Sequence, residues 1–155
     1  MPVDRDRIRE RLRYIREQLA ILQPLAADGD ERARRMDDAL SYGGIVRSLQ
    51  TSVEAMIDIA YHLCARLYAK EPRSAADAFE ILAQRGDLPG AFLPRVQRMV
   101  RFRNLVVHGY LHTRPEVVER ILAEDLGDFA AWEALVSRLA GGEQAPGGQG
   151  DGSDA

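Results

Sequence analysis

The chain has 155 residues, 46% of them hydrophobic and 29% charged, which is enough for one domain with a sizeable core and too few for two comfortable ones. Its formal net charge of -3, from 21 Lys+Arg against 24 Asp+Glu, excludes a generic nucleic-acid coat protein, so any polyanion partner needs a local basic patch. A single cysteine, Cys64, excludes an internal disulfide framework and a cysteine-based zinc cluster, and three histidines leave few metal ligands.

Ile8, Leu12, Ile15, Leu19 and Leu22 recur at helical spacing and predict a first helix that ends near Pro24. A second, long helix follows, from about Asp30 or Met36 to Tyr68, with Tyr42, Ile45, Leu49, Val53, Met56, Ala60, Leu63 and Leu67 in one apolar stripe. Gly43 and Gly44 either kink it or split it. Opposite the stripe, Arg47, Gln50, Glu54, Asp58 and Tyr61 follow the same steps. They read as a solvated face, or as the face from which Glu54 or Asp58 turns toward the helix of Arg103 and holds that residue as a supporting group of the site.

Pro72 and Ser74-x-x-Asp77 mark the start of a short helix carrying Phe79, Ile81 and Leu82, with Gly86 as its stop. After Leu88-Pro89-Gly90 a fourth helix carries Leu93, Val96, Met99, Val100, Phe102 and Leu105 to Val107, and Gly109 loosens its end. The last helical region begins at Pro115 and runs to about Leu139, with Gly127 a candidate break. Six of the 13 glycines fall in Gly141–Ala155, a stretch without aromatic or β-branched residues; it reads as a disordered tail on a helical domain spanning 1–140.

No segment alternates and none repeats. The expected fold is an all-α antiparallel bundle of four to five helices. No apolar run reaches the roughly 18 residues that span a bilayer, and the N-terminus is charged rather than signal-like, so the expectation is a cytoplasmic protein without membrane association.

The informative stretch runs from Arg95 through Arg98, Arg101, Arg103, Asn104 and His108 to Tyr110. At about 100° per residue, with Arg103 at 0°, Met99 and Val106 lie at about 320° and 300°, Val100 and Val107 at about 60° and 40°. Arg103 therefore projects from the middle of an apolar face, with Tyr110 on the same stripe and Asn104 and His108 at its margin. An always-charged guanidinium there is costly unless it is paired, snorkelling or placed at a cleft. Either Arg103 forms a structural pair with Glu54 or Asp58, or it belongs to a functional site.

Histidine suits proton transfer near neutrality and arginine stabilises charge on phosphate oxygens, so Arg103 and His108 together can cleave RNA without a metal. They lie about 140° apart on an ideal helix, so a shared site is easier to build across a symmetric dimer groove. Arg95, Arg98 and Arg101 add positive charge around the helix. His62 and His112 read as structural or surface residues, Cys64 as a buried hydrophobe, and Trp132 as core or dimer contact.

The string Arg103-Asn104-x3-His108-x-Tyr110 resembles the R-x4-H-x-Y motif of HepT-type toxins of the HEPN ribonuclease superfamily. Its context resembles that family too: Glu54 to Asp58 on the long helix, Ser74 to Phe79, and Glu124 to Phe129. The resemblance covers roughly residues 5–139. It implies a HEPN-like fold, a homodimer and an endoribonuclease toxin whose catalytic residues are Arg103 and His108, with Asn104 supporting. It also implies a partner, a minimal MntA-like nucleotidyltransferase antitoxin that transfers AMP from ATP to Tyr110; no cofactor or metal is implied for this chain. The alternative is a non-catalytic helical subunit that docks such a nucleotidyltransferase through Arg103 and Tyr110.

Overall fold

Asp4 opens the first helix by accepting the Arg7 N–H at 3.1 Å, which supplies one of the backbone donors that the first turn leaves without a partner. Helix α1 (Arg5–Ala27) buries Ile8, Leu12, Ile15, Leu19, Leu22 and Leu25, the predicted stripe and one further turn. The expected end at Pro24 is corrected. The helix runs past it to Ala27, and the Pro24 carbonyl accepts the Asp28 N–H at 3.2 Å. Proline forfeits its own N–H bond and crowds the preceding turn, but Leu25 just beyond it is buried, and that burial favours the continued helix.

The computed structural model describes residues 2–109 and 114–141. Tyr110, His112 and residues 142–155, and with them nearly all of the tail read from the sequence, lie outside the described residues.

Asp28 closes α1 and caps α2 (Gly29–Asp37), accepting N–H bonds from Asp30 and Glu31. Asp38, in extended backbone, then caps α3 (Ala39–Tyr68) by accepting the Ser41 N–H at 2.8 Å. The long helix thus starts at Ala39, close to the later of its two expected starts, with α2 a separate helix before Asp38, and Gly43 and Gly44 lie within α3 without interrupting it. Along α3 the predicted stripe is buried from Ile45 to Leu63, whereas Tyr42 is half-buried and Leu67 is exposed at the helix end. Ser48, Ser52, Ala55, Ile57, Ile59, His62 and Cys64 are buried as well, because α3 packs against α1, α4 and α5.

α1 and α3 run antiparallel, as a ladder of polar contacts shows: Asp4 meets His62, Arg7 and Arg11 meet Asp58, Tyr14 meets Thr51, and Gln18 meets Ser48. Helix α4 (Ala75–Gln84) starts as the sequence predicts, with Ser74 accepting the Asp77 N–H and the Asp77 carboxylate accepting the Arg73 N–H. Gly86 follows with φ +82°, a left-handed turn that a side chain would strain.

Helix α5 (Leu93–Val107) has Pro94 in its first turn. The final rod comprises α6 (Pro115–Arg120), a π-helical turn (Ile121–Asp125) and α7 (Leu126–Gly141). The irregularity expected at Gly127 falls on that π turn instead, and Gly127 is helical. Six helical rods among the described residues confirm the all-α class; the extra one arises from the division at Asp38. The core centres on Phe79 and Trp132, edge to face with ring centroids 5.3 Å apart, with Phe129 buried beside Trp132 on α7. No described helix is long and apolar enough to cross a membrane.

Candidate active site at the end of α5

Val96, Met99, Val100 and Phe102 bury one side of α5. Arg103 continues that side one turn before the helix ends, as the wheel predicts. Its side chain is 31% exposed, and its Nε lies 3.7 Å from Glu54 Oε1 on α3. Its Nη1 donates to Asn104 Oδ1 at 3.1 Å. The Nε–H is buried and has no hydrogen-bond partner among the described residues; at 3.7 Å the carboxylate attracts the guanidinium without accepting a proper bond. Gln50, one turn before Glu54, donates to the same Oε1 at 3.0 Å and holds that carboxylate toward α5. Gln50, on the face that the sequence reads as solvated, thus joins the surroundings of Arg103, and its i,i+4 spacing to Glu54 is the signal in the sequence.

His108 caps α5, donating its backbone N–H to Asn104 O at 3.0 Å, and its side chain is exposed. Gly109 follows with φ +76° and releases the chain from the helix. Val107, expected in the apolar stripe, is 55% exposed. The last turn of α5 thus leaves the core while Arg103 remains turned toward α3. Asn104 is exposed, and its side-chain oxygen serves Arg103; toward His108 it contributes its backbone carbonyl.

Glu54 and Asp58 share one face of α3 but meet different neighbours. Asp58 accepts from Arg7 Nη2 at 2.7 Å and from Arg11 Nε at 2.8 Å, both on α1, so it serves the α1–α3 contact rather than Arg103. The signal was the i,i+4 spacing of Arg7 and Arg11, which lets two guanidiniums reach one carboxylate. Burial pushes the Asp58 carboxyl up, but hydrogen bonds and charge from Arg7 and Arg11 outweigh it and hold the group below its usual 3.8. A depressed carboxyl stabilises the fold above its unfolded value and loses that stabilisation as pH falls through the lower native value. Asp58→Asn is therefore expected to lower stability near neutral pH by about 1 kcal/mol, given the partial exposure of all three groups. The deficit relative to wild type shrinks below about pH 4. Urea melts of both proteins across pH check this, and a deficit that stays constant into acid excludes the pair as its source.

The remaining candidates are structural. His62 is buried and its Nε2 accepts the Asp4 N–H at 2.9 Å; desolvation, with Arg7 and Arg66 nearby, holds its pKa below the usual value. Cys64 is fully buried with its thiol pushed up to about 11 by burial. Trp132 is core. Arg95 pairs with the buried Asp128 at 3.3 Å while staying exposed itself, as Arg98 and Arg101 are. Among the described residues no cluster of His, Cys, Asp or Glu can hold a metal ion.

An all-α domain carrying a half-buried arginine and a helix-terminal histidine on one helix defines a class. The chain belongs to the Ribonuclease HepT-like family, which matches residues 15–132. It is similar to the mRNA nuclease HepT of Shewanella oneidensis, 27% identical over 124 residues covering 80% of this chain and 91% of that protein. Its fold is similar to a crystal structure of a toxin–antitoxin with AMP-PNP, with TM-score 0.76, 25% identity and coverage of 85% of this chain and 98% of that one. A tri-AMPylated Shewanella oneidensis HEPN toxin in complex with an MNT antitoxin matches with TM-score 0.76 and 26% identity, covering 85% and 97% of the two chains. The cytosolic protein YutE of Bacillus subtilis shares the fold alone, at TM-score 0.78 and 16% identity over 94% of this chain and 96% of that one.

Proposed function

We propose that the chain is the toxin of a toxin–antitoxin pair, a dimeric endoribonuclease that needs no metal and that a nucleotidyltransferase antitoxin silences by AMP transfer to Tyr110. The observation that carries this reading is Arg103. It is a guanidinium on the buried side of α5 whose Nε–H has no hydrogen-bond partner among the described residues, one turn from an exposed histidine at the helix terminus. The Nε–H itself is closed to solvent, and the partly exposed remainder of the guanidinium is what an incoming phosphate oxygen can reach.

In the reaction, the 2′-hydroxyl of the RNA attacks the adjacent phosphorus while His108 takes its proton. The P–O5′ bond breaks, and the 5′-oxygen leaves with a proton returned by a histidine, giving a 2′,3′-cyclic phosphate and a 5′-hydroxyl. Arg103 stabilises the charge on the phosphoryl oxygens. Arg103 faces α3 while His108 is exposed at the helix end, which supports a groove where a second copy completes the set. The family relationship supports the ribonuclease activity. AMP on Tyr110 adds a bulky negative charge two residues after His108 and competes with substrate phosphate for Arg103.

The test is RNA cleavage by the purified, unmodified chain in EDTA, followed by incubation with the partner and ATP. Cyclic-phosphate products and AMP additions on Tyr110 by mass spectrometry are expected, and both modification and silencing are lost in Tyr110→Phe. A folded wild-type chain that cuts no RNA refutes the enzyme and leaves the non-catalytic docking subunit; equal modification of Tyr110→Phe refutes the silencing site.

A further inference from the structure

One open groove on the surface shares a wall with Arg103. A cavity of about 360 Å³ lies between α1 and α3, lined by Arg11, Tyr14, Thr51, Glu54, Ala55 and Asp58. Glu54 is the shared wall, since its Oε1 is the atom 3.7 Å from Arg103 Nε. The volume falls within the range of roughly 300–1,000 Å³ typical of small-ligand sites.

The lining sorts by chemistry. Buried Ala55 adds little bulk, and Tyr14 supplies a half-buried ring. That ring is tied down by its hydroxyl, which donates to Thr51 Oγ1 at 2.6 Å, while Thr51 Oγ1 donates to the Arg47 carbonyl at 3.0 Å. An aromatic ring held in a fixed orientation beside a cleft is a stacking platform. Glu54 accepts hydrogen bonds and cannot donate them when ionised, and Glu54 Oε2 has no hydrogen bond among the described residues. Two carboxylates in the lining, Glu54 and Asp58, against the one lining guanidinium, Arg11, disfavour a phosphate inside the groove. Arg7 and Arg11 share the single carboxylate of Asp58, and Arg103 stands behind Glu54.

We infer that the α1–α3 groove beside Glu54 is a base subsite of the RNA-cleaving centre, seating the nucleobase next to the scissile phosphate against Tyr14 while the phosphate stays with Arg103. The inference rests on the ribonuclease reading and adds a specificity to it. The Glu54 carboxylate favours a base with an exocyclic amino group, which can donate to it. Tyr14 acts by stacking and Thr51 by orienting the Tyr14 ring.

The test compares wild type, Tyr14→Ala, Tyr14→Phe and Thr51→Trp on a single-stranded, 5′-labelled oligoribonucleotide, reading KM, kcat and the bases flanking each cut. Tyr14→Ala, which loses the ring, and Thr51→Trp, which fills the groove, are each expected to raise KM about tenfold and to flatten the base preference. The change falls on KM rather than kcat, and Tyr14→Phe recovers most of the loss because it keeps the ring. Circular dichroism and thermal melts establish which variants are folded, and either folded variant suffices. Unchanged KM and cutting pattern in a folded Tyr14→Ala or Thr51→Trp overturns the subsite. So does a Thr51→Trp protein whose dimer dissociates in sedimentation, which would make the groove a face between copies. If wild type cuts no RNA, the ribonuclease reading fails first. Fluorescence anisotropy of the same oligonucleotide on His108→Ala, with and without Tyr14→Ala, then tests the groove separately: tenfold weaker binding supports it, and equal binding overturns it.

Discussion

Arg103→Ala and His108→Ala are expected to remove nearly all RNA cleavage while leaving the helical fold in place. Losing a guanidinium that stabilises the phosphoryl oxygens costs about 10²–10³ in rate, and losing the general acid–base group costs about 10²–10⁴. Neither change should weaken the domain much. The Arg103–Glu54 pair is about one-third exposed on both sides, and such pairs contribute roughly 0–1 kcal/mol. Arg103→Ala leaves Glu54 without its cation but also removes a buried Nε–H that has no hydrogen-bond partner among the described residues, so the two effects offset each other. His108 is exposed, and its structural contribution is the backbone N–H to Asn104 O, which alanine retains. Cleavage assays beside urea melts check the pair of expectations. Retained activity in either folded variant sinks the mechanism, and unfolding of Arg103→Ala would show that the arginine holds the fold rather than the substrate.

The largest stability effect is expected at Trp132. Trp132→Ala removes a fully buried indole and its edge-to-face contact with Phe79, a loss of about 3–5 kcal/mol for the truncation. Domains of this size have only about 5–15 kcal/mol in total, so the variant should sit near the edge of folding. Trp132→Phe is the sharper measurement. The indole Nε1–H is buried with no partner among the described residues, so phenylalanine loses volume but also removes an unsatisfied donor. Its cost should be less than half that of alanine. Equal losses in the two variants would mean that the indole nitrogen does have a partner, a bound water for example, or that the cavity alone sets the cost.

Helix existence and type were legible because each apolar stripe repeats at helical steps and several termini carry their own chemistry. Ser74 caps α4, Gly86 follows it in a left-handed turn, and Pro115 opens α6. Where the reading needed correction, a competing signal won: packing at Pro24 and a side-chain cap at Asp38. Leu25 keeps α1 helical past Pro24, and Asp38 divides the long helix although the glycine pair beyond it looked weaker. The π turn at Ile121–Asp125 absorbs an irregularity that glycine suggested at position 127.

The first composition argument, that a polyanion partner needs local positive charge, narrows to particular residues here. Of the four arginines from Arg95 to Arg103, Arg103 lies against Glu54 and Arg95 is exposed but paired with Asp128, so Arg98 and Arg101 carry exposed charge without an acid in salt-bridge reach among the described residues.

By itself the sequence determined the all-α class, the buried face of each long helix, and the placing of Arg103 in an apolar stripe with His108 near the helix end. These are local properties, since residue spacing along one helix decides which side chains share a face. Only the tertiary structure decided which acid meets which arginine. Glu54 and Asp58 stand one turn apart on the same face of α3, and the register of α1 and α5 against that face gives Asp58 to Arg7 and Arg11 and leaves Glu54 opposite Arg103. That assignment depends on how three helices slide and pack together, which no periodicity within a single helix encodes.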